Sequence, residues 1–450
     1  MSPGNRQAAE QLRRLRTARG WSWDQLAVRL RDLARNLRFS RIGSNSVTSI
    51  KRTIARWEAG KSRPGEQYQM LLAHAYARTP LGAVELGPGS DFHELLDVLA
   101  TFGIDRARVD EVASSVAATA TDGGMNPLAF LGAPLRAELG AALARPDAVD
   151  IPLIDALGAA GDAVNHQIGS VPFVRLHLAQ AAIVDACRHL MTGNQPPPVR
   201  ARLRQVAGAA YALAARLAFE TRDDAAALTL YKDAVNTSDP AEPSRRALIR
   251  SSQTMVVYYS TGDVGRARAI ADAAVADARR GESVLMRARA HALQAEMAAR
   301  GDGSQRHAHA ALHLACHDLE GDTSGDPLSG VFSKGRLRGF EGVCGIFLGE
   351  AEAAEQLLAR SATALTKSRE TVQRAIVLTD RAMARLRTGG AGAPEATAAQ
   401  LHECVELTAA ARGRVPAQRL RKARLELRPW RGETFIAELD DHIHAALIGL

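Results

Sequence analysis

Two stretches 40 residues apart share one pattern: Thr221-Arg-Asp-Asp-Ala-Ala-Ala227 leading to Ala234, and Thr261-Gly-Asp-Val-Gly-Arg-Ala267 leading to Ala274. Each has a polar turn followed by a segment in which small residues recur. The pattern continues with Arg300-Gly-Asp302 ahead of Ala308 and Ala315, with Leu348-Gly-Glu350 ahead of Ala354, and with Thr388-Gly-Gly390. Each unit reads as helix, turn, helix, with alanine where two helices must approach closely. A chain built this way is confined to a stack of helix pairs, a solenoid whose concave face is free to bind.

Composition agrees. The chain is 46% hydrophobic but only 4% aromatic, and its apolar content is mostly Ala, Leu and Val. Alanine favours helix, whereas β-sandwiches draw on aromatic and β-branched residues, so the expected fold class is all-α. Pro and Gly concentrate in 79–90 and mark a domain boundary. The expected organisation is an N-terminal module over 1–80, a linker over 81–91, a helical connecting and dimerisation region over 92–200, and repeats over 201–450. Within the connecting region, breaks are expected at Gly123-Gly124, Pro134, Pro146 and Pro152.

Charge is unevenly placed. Residues 1–80 carry 16 Lys and Arg against 5 Asp and Glu, a balance of +11, which leaves −3 on the remainder of a chain of net charge +8. A concentrated basic module on a near-neutral body is the signature of a nucleic-acid-binding domain. The basic residues do not alternate with large exposed hydrophobes, as a membrane-surface helix requires. No apolar leader or membrane span is evident. The four cysteines, Cys187, Cys316, Cys344 and Cys404, are widely spaced and fit a reducing compartment. The expectation is a soluble cytoplasmic protein, associated with the nucleoid and not with a membrane.

Within the basic module, Gln7–Arg19 reads as a surface helix closed by Gly20. Ser22 caps a second helix from Trp23 to about Leu37, and Leu26, Ala27, Leu30 and Leu33 form its apolar stripe. A polar connection follows over 38–48. The stretch from Thr48 to Gly60 then forms a helix of two faces, with Ile50, Ile54 and Trp57 on one side and Lys51, Arg52 and Arg56 on the other. Gly60 ends it, and Lys61-Ser-Arg63-Pro64 forms a basic turn. A helix with an apolar back and a cationic front suits the major groove of DNA. A final helix runs from Gln67 to Arg78. Trp23 reads either as a wedge between helices or as a flat surface against the sugar-phosphate backbone.

Leu-Arg-Arg-Leu-Arg-Thr-Ala-Arg-Gly20, Ser22 with Leu26-Ala27, and Ile54-Ala-Arg-Trp-Glu58-Ala-Gly60-Lys-Ser-Arg-Pro64 together resemble the Cro/C1 (Xre-type) helix-turn-helix family, in its actinobacterial form. The resemblance implies a bundle of about five helices whose third helix reads the major groove. It puts Lys51 and Arg52 at the first exposed positions of that helix, with Arg56 one turn on and Ser49 and Thr53 beside them. It puts Lys61 and Arg63 in a phosphate-gripping loop, and makes Arg16 and Glu58 a buried brace. This chain departs from the family between the second and third helices, where 36–48 inserts roughly ten residues. Arg38 and Arg41 there either extend the DNA contact or belong to a passive surface loop.

The repeats over 200–440 resemble tetratricopeptide (TPR) units, although the unit is longer than 34 residues and most aromatic positions are missing. The expected whole is therefore an N-terminal helix-turn-helix bundle followed by an α-solenoid of TPR-like helix pairs. By resemblance it is a homodimeric transcriptional regulator on an inverted-repeat, double-stranded DNA operator, with a peptide or small effector in the repeat groove. The alternatives are a protein-interaction scaffold whose N-terminal module binds a protein, and an antitoxin or phage-defence regulator. His309, His313 and His317 share a helix face, but no acidic ligand or second cluster accompanies them, so no metal site is expected. No nucleophile–base or paired-carboxylate pattern stands out. Neither an enzyme nor a cofactor is expected.

Overall fold

Local signals set the first helices. Ser22 and Gln25 form a reciprocal capping box, Ser22 Oγ accepting from the Gln25 amide and Gln25 Oε1 accepting from the Ser22 amide. Gly60, just past the helix over Val47–Glu58, takes the left-handed conformation (φ 65°) that the sequence asks of it. The computed structural model describes residues 3–79, 81–121, 124–125, 127–239, 242–301, 304–367 and 370–447. Of the expected breaks and turns, Gly123 and Asp302 lie outside the described residues.

The described residues form an all-α protein that divides into two compact units, residues 1–230 and 231–450. The first holds α1 (Pro3–Ala18), α2 (Trp23–Asn36), α3 (Ser40–Gly43), α4 (Val47–Glu58), α5 (Glu66–Tyr76), α6 (Asp91–Thr101) and α7 (Arg106–Thr119). It continues with α8 (Ala133–Ala144), α9 (Ile151–His166), α10 (Phe173–Leu190), α11 (Pro197–Glu220) and the start of α12 (Asp224–Thr237). The only strands among the described residues are two residues each, β1 (Ala120–Thr121) and β2 (Gly124–Met125), paired antiparallel.

Helices α1 to α5 make the expected bundle, with α2 packed on α4 and α5 and α1 on α4. Leu12, Leu15, Leu26, Leu30, Ile50 and Ile54 are all essentially buried in it. The chain at 79 and 81–90 does not behave as a spacer. It turns back on the end of α5, with the Thr79 amide donating to Ala83 O and the Glu85 amide to Ala77 O, both at 2.9 Å. Helix α6 then packs on α1 and α5, and Arg14–Glu94 and Arg19–Asp91 ion pairs tie α1 to it. One apolar cluster runs from Ala8 to Leu178, so the basic module shares its core with α6, α7 and α10. The reason is that Phe92, Leu95, Val98 and Leu99 need a partner surface, and α1 and α5 provide it.

The second unit holds α13 (Pro243–Thr261), α14 (Val264–Arg280), α15 (Val284–Arg300), α16 (Gln305–Glu320), α17 (Lys334–Leu348) and α18 (Ala351–Ala364). It ends with α19 (Thr371–Thr388), α20 (Ala393–Ala411), α21 (Arg414–Glu426) and α22 (Thr434–Leu447). Consecutive helices pair as hairpins: α13 with α14, α15 with α16, α17 with α18, α19 with α20. The first helices of successive hairpins also touch, α13–α15–α17–α19, and α21 continues that row. The alanines that recur in the sequence are the reason the pairs close. Ala267, Ala274, Ala308, Ala315 and Ala354 are all fully buried. No described helix is long and apolar enough to cross a membrane.

Candidate nucleic-acid interface

Helix α4 begins at Val47, with Ser46 as its N-cap accepting from the Ser49 amide at 3.2 Å. This settles where the helix starts despite the insertion before it. Ile50, Ile54 and Trp57 are buried, and Trp57 meets Tyr68 edge-on at 4.9 Å. The opposite face exposes Thr48, Ser49, Arg52 and Arg56, with Lys51 and Thr53 half-exposed beside them. Arg52 and Arg56 are four residues apart, so their guanidinium groups extend from one stripe.

The expected cations differ in what they do. Among the described residues, Arg52, Arg56 and Lys61 have no ion-pair or side-chain hydrogen-bond partner. Lys51 instead pairs with Asp24 on α2 at 2.7 Å. Both partners are substantially exposed, so the pair is worth at most about 1 kcal/mol and is easily displaced. Arg63 is half-buried, donates to Gly103 O at 3.3 Å, and has its pKa lowered by that burial. Thr53 Oγ1 donates back to Ser49 O along the helix.

Arg16 and Glu58 form the brace. Arg16 Nε and Nη2 donate to the two carboxylate oxygens of Glu58 at 2.6 and 2.8 Å, and Nη1 donates to Trp21 O at 2.7 Å. The hydrogen bonds to Glu58 raise the Arg16 pKa against the opposing effect of burial. Trp23 lies over this pair. Its Nε1 donates to Glu58 Oε2 at 2.8 Å and the Arg16 guanidinium sits 5.5 Å from its ring. The wedge reading of Trp23 therefore describes its contacts, with one side still open to solvent.

The insertion packs inward. Phe39 and Ile42 are fully buried, and Phe39 lies 5.2 Å from the His177 ring of α10. Arg38 pairs with Asp185 at 3.1 Å, and the Arg41 amide donates to Asp223 Oδ2 at 2.7 Å. The insertion is thus packed into the first unit and is not a passive surface loop, with Arg38 and Arg41 at the junction with α10 and α12. Asp24, Asp185 and Asp223 were not legible as partners, because nothing local announces a contact across 27, 147 or 182 residues. Phe39 and Ile42, apolar within a polar loop, were the available signal.

The second unit has a separate concavity of about 390 Å³ between α13, α15, α17, α19 and α21. Glu296 binds Arg300 at 2.7 Å and Arg419 at 3.2 Å, and Arg419 also pairs with Asp380. Burial pushes the Glu296 carboxyl up, but the charges of Arg300 and Arg419 outweigh it and hold the carboxyl below its usual range. At Asp380 burial prevails over Arg419 and the shift is upward. The Arg300 guanidinium sits over the rings of Tyr258 and Phe347 at 4.9 and 4.5 Å. In the same unit, His309 pairs with Glu350 at 3.3 Å, while His313 and His317 remain on an exposed face.

No protein-family model matches the chain, and comparison with curated proteins likewise finds no match.

Proposed function

We propose that the chain is a sequence-specific DNA-binding regulator of transcription whose α4 enters the major groove. The observation that supports this most is the stripe of Arg52 and Arg56, exposed and unpaired among the described residues, on a helix whose other face is locked into a core. Nothing in folding the bundle calls for two uncompensated guanidinium groups there, whereas guanine edges accept such groups bidentately. Ser49 and Lys51 flank the stripe, Lys51 being released from Asp24 when a base or phosphate takes its place. Lys61 contacts the sugar-phosphate backbone. One such domain covers a half-site, so the active species is a homodimer on an inverted repeat. The charged concavity of the second unit supports an effector site, where a peptide or small molecule shifts the dimer between arrangements.

The test is a double substitution, Arg52→Ala with Arg56→Ala, assayed on genomic fragments selected by the wild-type protein. Each arginine–base contact is worth roughly 1–3 kcal/mol, so losing both lowers specific affinity about thirtyfold or more while circular dichroism stays unchanged. Binding that weakens steeply with salt in the wild type agrees with phosphate contact. Unchanged affinity in the double variant defeats the DNA reading and leaves the module as a docking site for a protein partner. A monomeric mass both free and on DNA would defeat the half-site argument.

A further inference from the structure

We propose that the cleft behind the 38–45 insertion is a binding site for a small amphipathic anion, a molecule with an apolar body and an acidic head. The cleft encloses about 590 Å³ between the insertion, α10, α11 and the first turns of α12, wholly within the first unit. That volume lies within the range of roughly 300–1,000 Å³ typical of small-molecule sites. Its apolar lining comes from Ala181, Val184, Ala214 and Leu230.

The rim carries the charge. Arg38, Arg41, Arg188 and Arg222 stand around it against Asp185, Asp223 and Asp224. Two of those carboxylates are already committed. Asp185 holds Arg38, and the buried Asp223 accepts the amides of Arg41 at 2.7 Å and Ala226 at 3.1 Å. Four arginines against three aspartates leave the rim a net positive charge, which favours an anionic head group. The apolar lining favours a ligand with more than an inorganic ion's surface.

Two further observations converge on the cleft. Arg38 (φ 59°) and Arg222 (φ 64°), which both line the cleft, take the left-handed conformation just past the ends of α2 and α11, where the Phe39 and Asp223 amides close the helices on Ala34 O and Ala218 O. In addition, a second cavity of about 680 Å³ shares Arg38, Asp185 and Arg188 with the first. The Arg38–Asp185 pair stands between them. Both side chains are exposed, so solvent weakens the pair and an acidic ligand competing for Arg38 can open it.

The cleft is also mechanically connected to α4. Asn45 lines it, and Ser46, the next residue, is the N-cap of α4. Occupancy therefore acts on the segment that sets the start of the recognition helix. Its readout as altered operator affinity rests on the DNA-binding reading above; the binding itself does not.

The experiment uses 8-anilinonaphthalene-1-sulfonate, an apolar anion, titrated by fluorescence into the full-length protein without DNA. The wild type gives saturable one-site binding. Ala181→Trp, which fills the cleft, and Arg41→Glu, which reverses an exposed charge on its rim, each weaken it about tenfold or more while circular dichroism stays unchanged. Hydrogen exchange over 38–50 slows in the wild type when the probe binds. Equal probe affinity in both variants, or exchange over 38–50 that ignores the probe, overturns the proposal. Because neither readout involves DNA, a failed Arg52/Arg56 test does not affect it.

Discussion

Glu58 receives three side-chain hydrogen bonds, two from Arg16 and one from Trp23, and its side chain is 3% exposed. Replacing it by Gln keeps the shape but leaves the Arg16 charge buried without its counter-ion. Breaking a buried pair from one side costs about 3–5 kcal/mol, so Glu58→Gln lowers the unfolding free energy by roughly that amount in urea titration. His74 makes a second prediction at this scale. Burial, with Arg78 nearby, lowers its pKa to about 4, and its ring lies 3.4 Å from Thr119 Oγ1. Below about pH 6.5 the unfolded chain protonates this histidine while the folded protein does not, so stability falls as pH drops from 6.5 towards 4 and levels off below. The loss reaches roughly 3 kcal/mol for the full shift. His177, also lowered by burial, adds in the same direction. Urea midpoints measured at pH 7 and pH 4.5 check this, and His74→Gln shrinks the difference.

At the scale of elements, the α17–α18 hairpin shows how the repeat closes. Gly342 lies where an added Cβ would meet Leu358 Cγ at 2.5 Å and Ala354 O at 3.1 Å. Gly342→Ala gains helix propensity but overpacks this seam at a cost of about 1–3 kcal/mol, so the net effect is destabilising. In α9, Gly161 has open space where a Cβ would go, and Gly161→Ala stabilises by up to about 1 kcal/mol. Opposite shifts in melting temperature for the two variants separate packing from propensity. The helices themselves were largely legible. Ser22, Gly20 and Gly60 mark their ends by local chemistry, and α2 runs from Trp23 to Asn36 against an expected end at about Leu37. The insertion was not, since α3 exists because Phe39 and Ile42 find buried positions against distant residues.

For the whole molecule, the shared core matters most. A fragment cut at residue 80 would expose the faces of α1 and α5 that cover Phe92, Leu95, Val98 and Leu99. Such a fragment is expected to give poorly dispersed amide spectra and bind 8-anilinonaphthalene-1-sulfonate as exposed apolar surface, whereas residues 1–230 fold with a cooperative transition. A well-dispersed spectrum for 1–80 would show that the basic module is self-sufficient. The Pro- and Gly-rich stretch at 79–90 marks a turn, and composition alone does not tell a turn inside a unit from a linker between two.

Helical class, the repeat period and the two faces of α4 were readable from the chain, because each rests on residue type and short-range spacing; the Arg16–Glu58 brace, 42 residues apart, was implied only by the resemblance to a known family. Which cations of α4 stay available, where the first unit ends, and what the insertion packs against were decided by tertiary structure. Those depend on Asp24, Asp185, Asp223 and α6, which reach their partners only after the chain has folded back on itself. A local pattern specifies an element and its faces; the partner across a face is chosen by packing, over separations that no spacing encodes.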